Sequence, residues 1–156
     1  MKRSVMMLGL LALAGCGKPE AEQPTASSLP LNEYMAHVVD PNARQLWRWQ
    51  GFVANEKGVT DFTPKNAEEW EEAETAGLTQ AELTSTLHHA PRRRDDGKDN
   101  WDKRVGDLRK AASDAATAAE KQDADGFSNA ADAVNVACVE CHYAFAPHLE
   151  PPRSPE

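Results

Sequence analysis

Cys138, Val139, Glu140, Cys141 and His142 are the residues of this chain best suited to chemistry. Two thiols three positions apart, followed at once by an imidazole, form the C-x-x-C-H attachment signature of c-type haem. Each thiol can add to one porphyrin vinyl group, and the imidazole can bind iron from one side. The surrounding run AADAVNVACVECHYAFA is rich in alanine and holds no glycine or proline, so it reads as helix. Positions three and four apart share a helix face. Cys138, Cys141 and His142 then point the same way, and one flat macrocycle can engage all three. A bare C-x-x-C also serves as a thiol redox pair or as half of a zinc site. Zinc would need two more ligands at matching spacing, and the remaining cysteine, Cys16, is far away. A redox pair usually opens a helix after a strand, and no strand pattern precedes Cys138.

The N-terminus points to a compartment. Lys2 and Arg3 precede a short apolar run from Val5 to Leu13, too short to span a bilayer. Residues 1–15 therefore read as a signal peptide. The run ends in Leu13-Ala14-Gly15-Cys16, which resembles the bacterial lipoprotein box; an ordinary secretory signal is the alternative. In lipoproteins the signal is cut before the cysteine, which is then acylated. Several acyl chains on one residue give durable anchoring. Gly17 follows Cys16 where an Asp could stand, and by the same resemblance this favours the outer membrane, with the protein facing the periplasm. One cysteine for lipid and two for haem use all three, which leaves none for a disulfide.

Loss of Lys2 and Arg3 from the 17 basic residues leaves 15 against 25 acidic ones, a formal charge of −10. That argues against nucleic acid as a partner. It suits steering toward a basic patch on a redox partner, although acidity also serves solubility alone. The 141 residues left after cleavage are enough for one domain. Residues 16–30 hold the lipid-bearing cysteine and a polar tether rich in Pro, Ala and Ser. Residues 148–156 read as a Pro-rich disordered tail. The folded body is expected over residues 31–147.

Four helical stretches and no strand are expected in that body. The first runs from about Leu31 to Val53. The second starts at Thr63-Pro64, a cap residue with proline at the first helical position, and runs to about His89. A polar loop, PRRRDDGKDN, leads to a third helix over Asn100 to Lys121. The fourth follows Asp123 and carries the haem motif. Short polar connections suggest an all-α, up-down-up-down four-helix bundle, with haem near the C-terminal end of the fourth helix. That end lies beside the start of the first helix and the loop joining the second and third.

A second iron ligand should come from those places. The candidates are Met35, His37, His88, His89 and His148. His148 is only six residues past His142 and would struggle to reach the other side of the ring. Leu31, Met35, Val38, Leu46, Trp49 and Val53 share one apolar stripe at helical spacing. Glu33, His37, Arg44 and Arg48 fall opposite. Met35 is expected to face the core and His37 to face water. A thioether suits haem iron, and His/Met ligation raises the reduction potential; many buried methionines are plain core filler. Asp40-Pro41 should kink the first helix, or break it after an Asp cap. Arg92, Arg93 and Arg94 lie in the loop at the expected haem end. One of them, taken as Arg92, could pair with a propionate, or the three could be a solvated charge run partly balanced by Asp95 and Asp96. Trp47, Trp49, Trp70 and Trp101 read as packing residues.

With these residues in place, the chain resembles the class II c-type cytochromes, the group of cytochrome c′ and the cytochrome c-556-like proteins. The resemblance covers about Leu31 to Pro147. It rests on CVECHYAFAP with its following aromatic Phe145, and more softly on YMAHVVDPNARQLW, Trp70 and Trp101. It implies a four-helix bundle holding one haem c near one end. Members with a helix-one methionine are six-coordinate, as Met35 would make this chain, and those without one leave iron open to small gases. The basic residue often found after the haem histidine is absent here.

The reading is a periplasmic, lipid-anchored carrier of single electrons rather than an enzyme, with His142 as proximal and Met35 as distal ligand. A haem protein that binds NO or CO, at an open or Met-displaceable site, is the alternative. A peroxidase-type enzyme ranks last, since no distal acid-base set stands out. The family's frequent dimerisation leaves a homodimer open, although no interface stripe is evident.

Overall fold

The computed structural model describes residues 29–89, 91–94 and 100–148. The signal peptide, Cys16, most of the tether, Asp95, Asp96 and the tail beyond His148 lie outside the described residues. The described chain is mostly helical, with one small hairpin.

Helix α1 (Leu31–Tyr34), a π-helical segment (Met35–Val39) and α2 (Asp40–Trp47) follow one another without leaving right-handed helical geometry. Pro41 explains the middle segment. Proline has no N–H to donate, and its ring collides with the carbonyl four residues back. A widened turn relieves the collision: the N–H of Asp40 donates to the carbonyl of Met35, five residues back. The interruption expected at Asp40-Pro41 therefore takes the form of a π turn. The extra residue also resets the apolar stripe. Tyr34 and Val39, five apart, are the buried pair, followed by Ala43 and Leu46.

This first helical stretch stops at Trp47, six residues short of the expected end at Val53. Gly51 adopts φ +62, a left-handed conformation that suits glycine after a helix. Strands β1 (Phe52–Asn55) and β2 (Gly58–Asp61) then pair antiparallel across Glu56 and Lys57. No strand was expected here. Both strands are exposed along their length, so no face is buried and no apolar alternation marks them.

Helix α3 (Ala67–Ser85) begins later than Thr63-Pro64. Its cap is Asn66, whose side chain accepts from the backbone N–H of Glu69, while the Glu69 carboxylate accepts from the N–H of Lys65. This reciprocal arrangement resembles a capping box and outweighs the proline signal. A 3-10 turn (Thr86–His88) ends the stretch. Helices α4 (Trp101–Glu120) and α5 (Ala124–Phe145) start about where expected, and Asn100 and Asp123 cap them, each accepting from a backbone N–H three residues on.

Side-chain contacts set the helix directions. Tyr34 donates to the Leu83 carbonyl, whereas Asn42 donates to the Ala76 carbonyl and to Gln80, so the first stretch runs against α3. Trp47 donates to the carbonyl of Ala131 at 3.1 Å, and Gln50 donates to Asp132. The first stretch therefore meets α5 near its lower half. A large apolar cluster, mostly alanine, joins α3, α4 and α5. A smaller one gathers Tyr34, Val39, Leu87, Trp101 and Val105, with Met35 and Phe145 packed against it.

Candidate functional site

The last two turns of α5 carry Cys138, Cys141 and His142, all half-buried, while Glu140 and Tyr143 point to solvent. The three donors thus share the inward side of the helix, as their spacing implied. Neither cysteine is in a disulfide. Burial pushes the Cys138 thiol up to about 12, with smaller contributions from Cys141 and Asp40. At neutral pH it is protonated, the opposite of the low-pKa thiolate that a redox dithiol needs. Burial also lowers the pKa of His142, against a smaller upward pull from the Asp40 charge. A lowered pKa favours neutral imidazole at pH 7, the form that binds metal.

The three regions expected at this end do meet. Phe145, at the end of α5, stacks edge-on against Trp101 at 4.9 Å between ring centroids. Trp101 opens α4 and donates from its indole to the carbonyl of Leu87 at 2.8 Å. Met35, from the π segment, packs on the same cluster. The other candidate ligands lie elsewhere. His37 is 71% exposed and faces Glu33 at 3.4 Å. His88 is held by Asp102 through Nδ1 at 2.9 Å, and Arg93 pairs with the same carboxylate. His89 and His148 are exposed. Among the five, Met35 alone packs in the apolar cluster beside Phe145.

Arg92 is not part of a solvated run. It is 1% exposed, and its guanidinium lies 3.8 Å from the centroid of the Tyr34 ring, a cation–π geometry. Tyr34 is fixed in turn by donating to the Leu83 carbonyl and accepting from Thr86, each at 2.9 Å. Arg93 is paired with Asp102 and Arg94 is exposed, while Asp95 and Asp96, expected to balance the run, lie outside the described residues. Trp70 and Trp101 are buried and Trp47 and Trp49 half-buried, in keeping with packing roles.

Two residues at this end escaped the sequence reading. Tyr34 was hidden because a 3.6-residue period places Met35, not Tyr34, on the stripe; Pro41 was the available hint of a widened turn. Asp40 was read only as a helix breaker, yet its charge acts on both Cys138 and His142.

Among the described residues, no three His, Cys, Asp or Glu side chains converge as a metal-binding group. Haem iron takes four of its donors from the porphyrin, so one imidazole and one thioether would complete it. An open groove of about 460 Å³ lies between α2 and α3, lined by Arg48, Trp49, Glu68, Glu71 and Glu72; it is separate from the thiols. No helix among the described residues is long and apolar enough to cross a membrane. No protein-family model, curated protein or solved structure matches the chain.

Proposed function

We propose that this chain is a periplasmic carrier of single electrons, with one haem c attached through Cys138 and Cys141. His142 would be the proximal residue holding its iron, and Met35 the distal one. The observation that carries this reading is the meeting of Met35 and Phe145 in one apolar cluster at the thiol-bearing end of α5. The donor set fits the group: two thiols in no disulfide, an imidazole kept neutral, and a thioether from a separate element. The opposed helix directions support an up-down-up-down four-helix bundle with haem near the C-terminal end of α5.

Haem supplies the redox chemistry; the residues around it hold and tune it. Cys138 and Cys141 would each hold the group through a thioether bond. Arg92, buried on Tyr34, supplies a cation for a propionate. Trp101 and Phe145 shield the cluster from water. Cys16 anchors the mature chain in the outer membrane, and the acidic body meets a redox partner through that partner's basic patch. The role is electron transfer rather than catalysis.

The test is the intact mass and optical spectrum of protein matured in a haem-attaching periplasm. One added tetrapyrrole and a low-spin spectrum with a sulfur-to-iron band are expected. Met35→Ala should convert the haem to a high-spin form that binds CO. An unmodified mass sinks the haem reading. A high-spin wild-type spectrum with ready CO binding would replace the carrier by a gas-binding protein.

A further inference from the structure

Asp40 stands where the first helical stretch passes the thiol-bearing end of α5. Trp47 bonds Ala131, and Gln50 bonds Asp132, while reaching the Ser128 carbonyl at 3.5 Å. With Met35 and Phe145 meeting in one cluster at the other end, these contacts make the two elements antiparallel. Seven residues, close to two helical turns, lead from Trp47 back to Asp40 and from Ala131 forward to Cys138. Asp40 is thereby level with the first attachment thiol and one turn from His142.

Its setting is defined. Arg44 donates from Nε to the Asp40 carboxylate at 2.8 Å, with the two side chains 71% and 48% exposed. The Asp40 N–H closes the π turn on the Met35 carbonyl. Asp40 therefore relates to both sides of the proposed haem site, through its backbone bond to Met35 and by its place level with Cys138 on α5. Of the two acids in the first helical stretch, Glu33 and Asp40, Asp40 is the one this register sets level with Cys138. The nearby Arg104–Glu140 pair is neutral as a unit.

We infer that the Asp40 carboxylate sets the reduction potential of the haem, holding it below the value that His/Met ligation alone would give, and that Arg44 trims this effect by partly neutralising the charge. The inference rests on the haem reading above. A fixed negative charge beside iron favours the ferric form, which carries one positive charge more than the ferrous form.

Three variants of the matured, haem-loaded chain test it by redox titration. Asp40→Asn keeps size and leaves the backbone bond to Met35 in place, but removes the charge. It should favour the ferrous form by about tenfold at a given solution potential, a rise of about 59 mV for one electron. Arg44→Gln exposes the charge and should move the potential the opposite way, by a smaller factor. Asp40→Glu keeps the charge and should stay near wild type. Opposite signs for Asp40→Asn and Arg44→Gln are the signature of charge, because a packing defect at either residue would not reverse. A loaded Asp40→Asn protein with an unchanged potential, or two shifts of the same sign, overturns the role of Asp40 and leaves the haem reading standing. A wild-type chain matured without tetrapyrrole overturns both.

Discussion

The larger apolar cluster is mostly alanine, joined by Leu46, Trp70, Leu108, Phe127 and Val134, whereas the smaller one holds no alanine and is built from Tyr34, Val39, Leu87, Trp101 and Val105. Between α3 and α4 the contact residues are alanines, and Gly77 lies so close that an added Cβ would stand 2.8 Å from the backbone nitrogen of Ala116. At the other site Tyr34, Trp101 and Phe145 meet around a π turn, with a buried arginine above and a half-buried imidazole nearby. Small side chains let helix backbones approach and leave no room for a guest. Large rings and a widened turn hold helices apart and give a flat group something to lie against. The scaffold and the site are thus largely separated along the same helices and adjoin at Cys138, which packs on the larger cluster: α4 and α5 contribute alanines to that cluster and their ends to the other.

Substitution at Gly77 tests the tight region with the largest effect. Gly77→Val would force side-chain atoms into the α4 backbone, which has no rotamer to yield. Overpacking of this kind costs about 3 kcal/mol, read as a lowered urea midpoint. The spectrum of the remaining folded protein should be unchanged. A shifted haem band would mean that the two regions are coupled and the division drawn here is wrong.

Phe145→Ala makes the reciprocal test at the other region. The ring is half-buried and stacks on Trp101, so its loss should cost about 2 kcal/mol, less than a fully buried phenylalanine. Here the spectrum of the loaded protein should change, because the ring lies at the end of the helix that carries His142. Loss of stability with an untouched spectrum would make Phe145 scaffold and shrink the site to Met35 and the α5 donors.

The contrast also explains what could be read from the residues. The thiols, His142, the starts of α4 and α5, and the inward face of Met35 were legible because each depends on local signals. The hairpin was not, because two short exposed strands bury nothing and Val53 extends the apolar stripe of the preceding helix. The start of α3 was misplaced because Pro64 outshone the Asn66 cap. The burial of Arg92 was beyond local reading: three successive arginines look alike, and only the position of Tyr34, shifted by the π turn, selects one of them. Local chemistry announced the α5 donors, and tertiary packing chose their neighbours.

The smallest expected effect lies on the rim of the site, where the chain crosses from α3 to α4. The Asp102 carboxylate is lowered from the usual 3.8 to about 2, first by its bond from Arg93 and then by His88. A carboxylate with a depressed folded pKa binds fewer protons folded than unfolded, so stability falls as pH falls through that range. The contribution is complete above pH 4 and disappears as pH approaches 2. Asp102 is exposed, so solvent screening keeps the effect modest. Thermal melts of wild type and Asp102→Asn should therefore differ slightly at pH 6 and converge near pH 2, and added salt should narrow the gap at pH 6. The visible spectrum should not follow that convergence, because Asp102 braces the α3–α4 crossing and does not reach the α5 donors. If instead the haem band moved with the same midpoint, the rim and the interior of the site would titrate as one unit, and the boundary between scaffold and site would have to be redrawn to include the His88–Asp102–Arg93 contact.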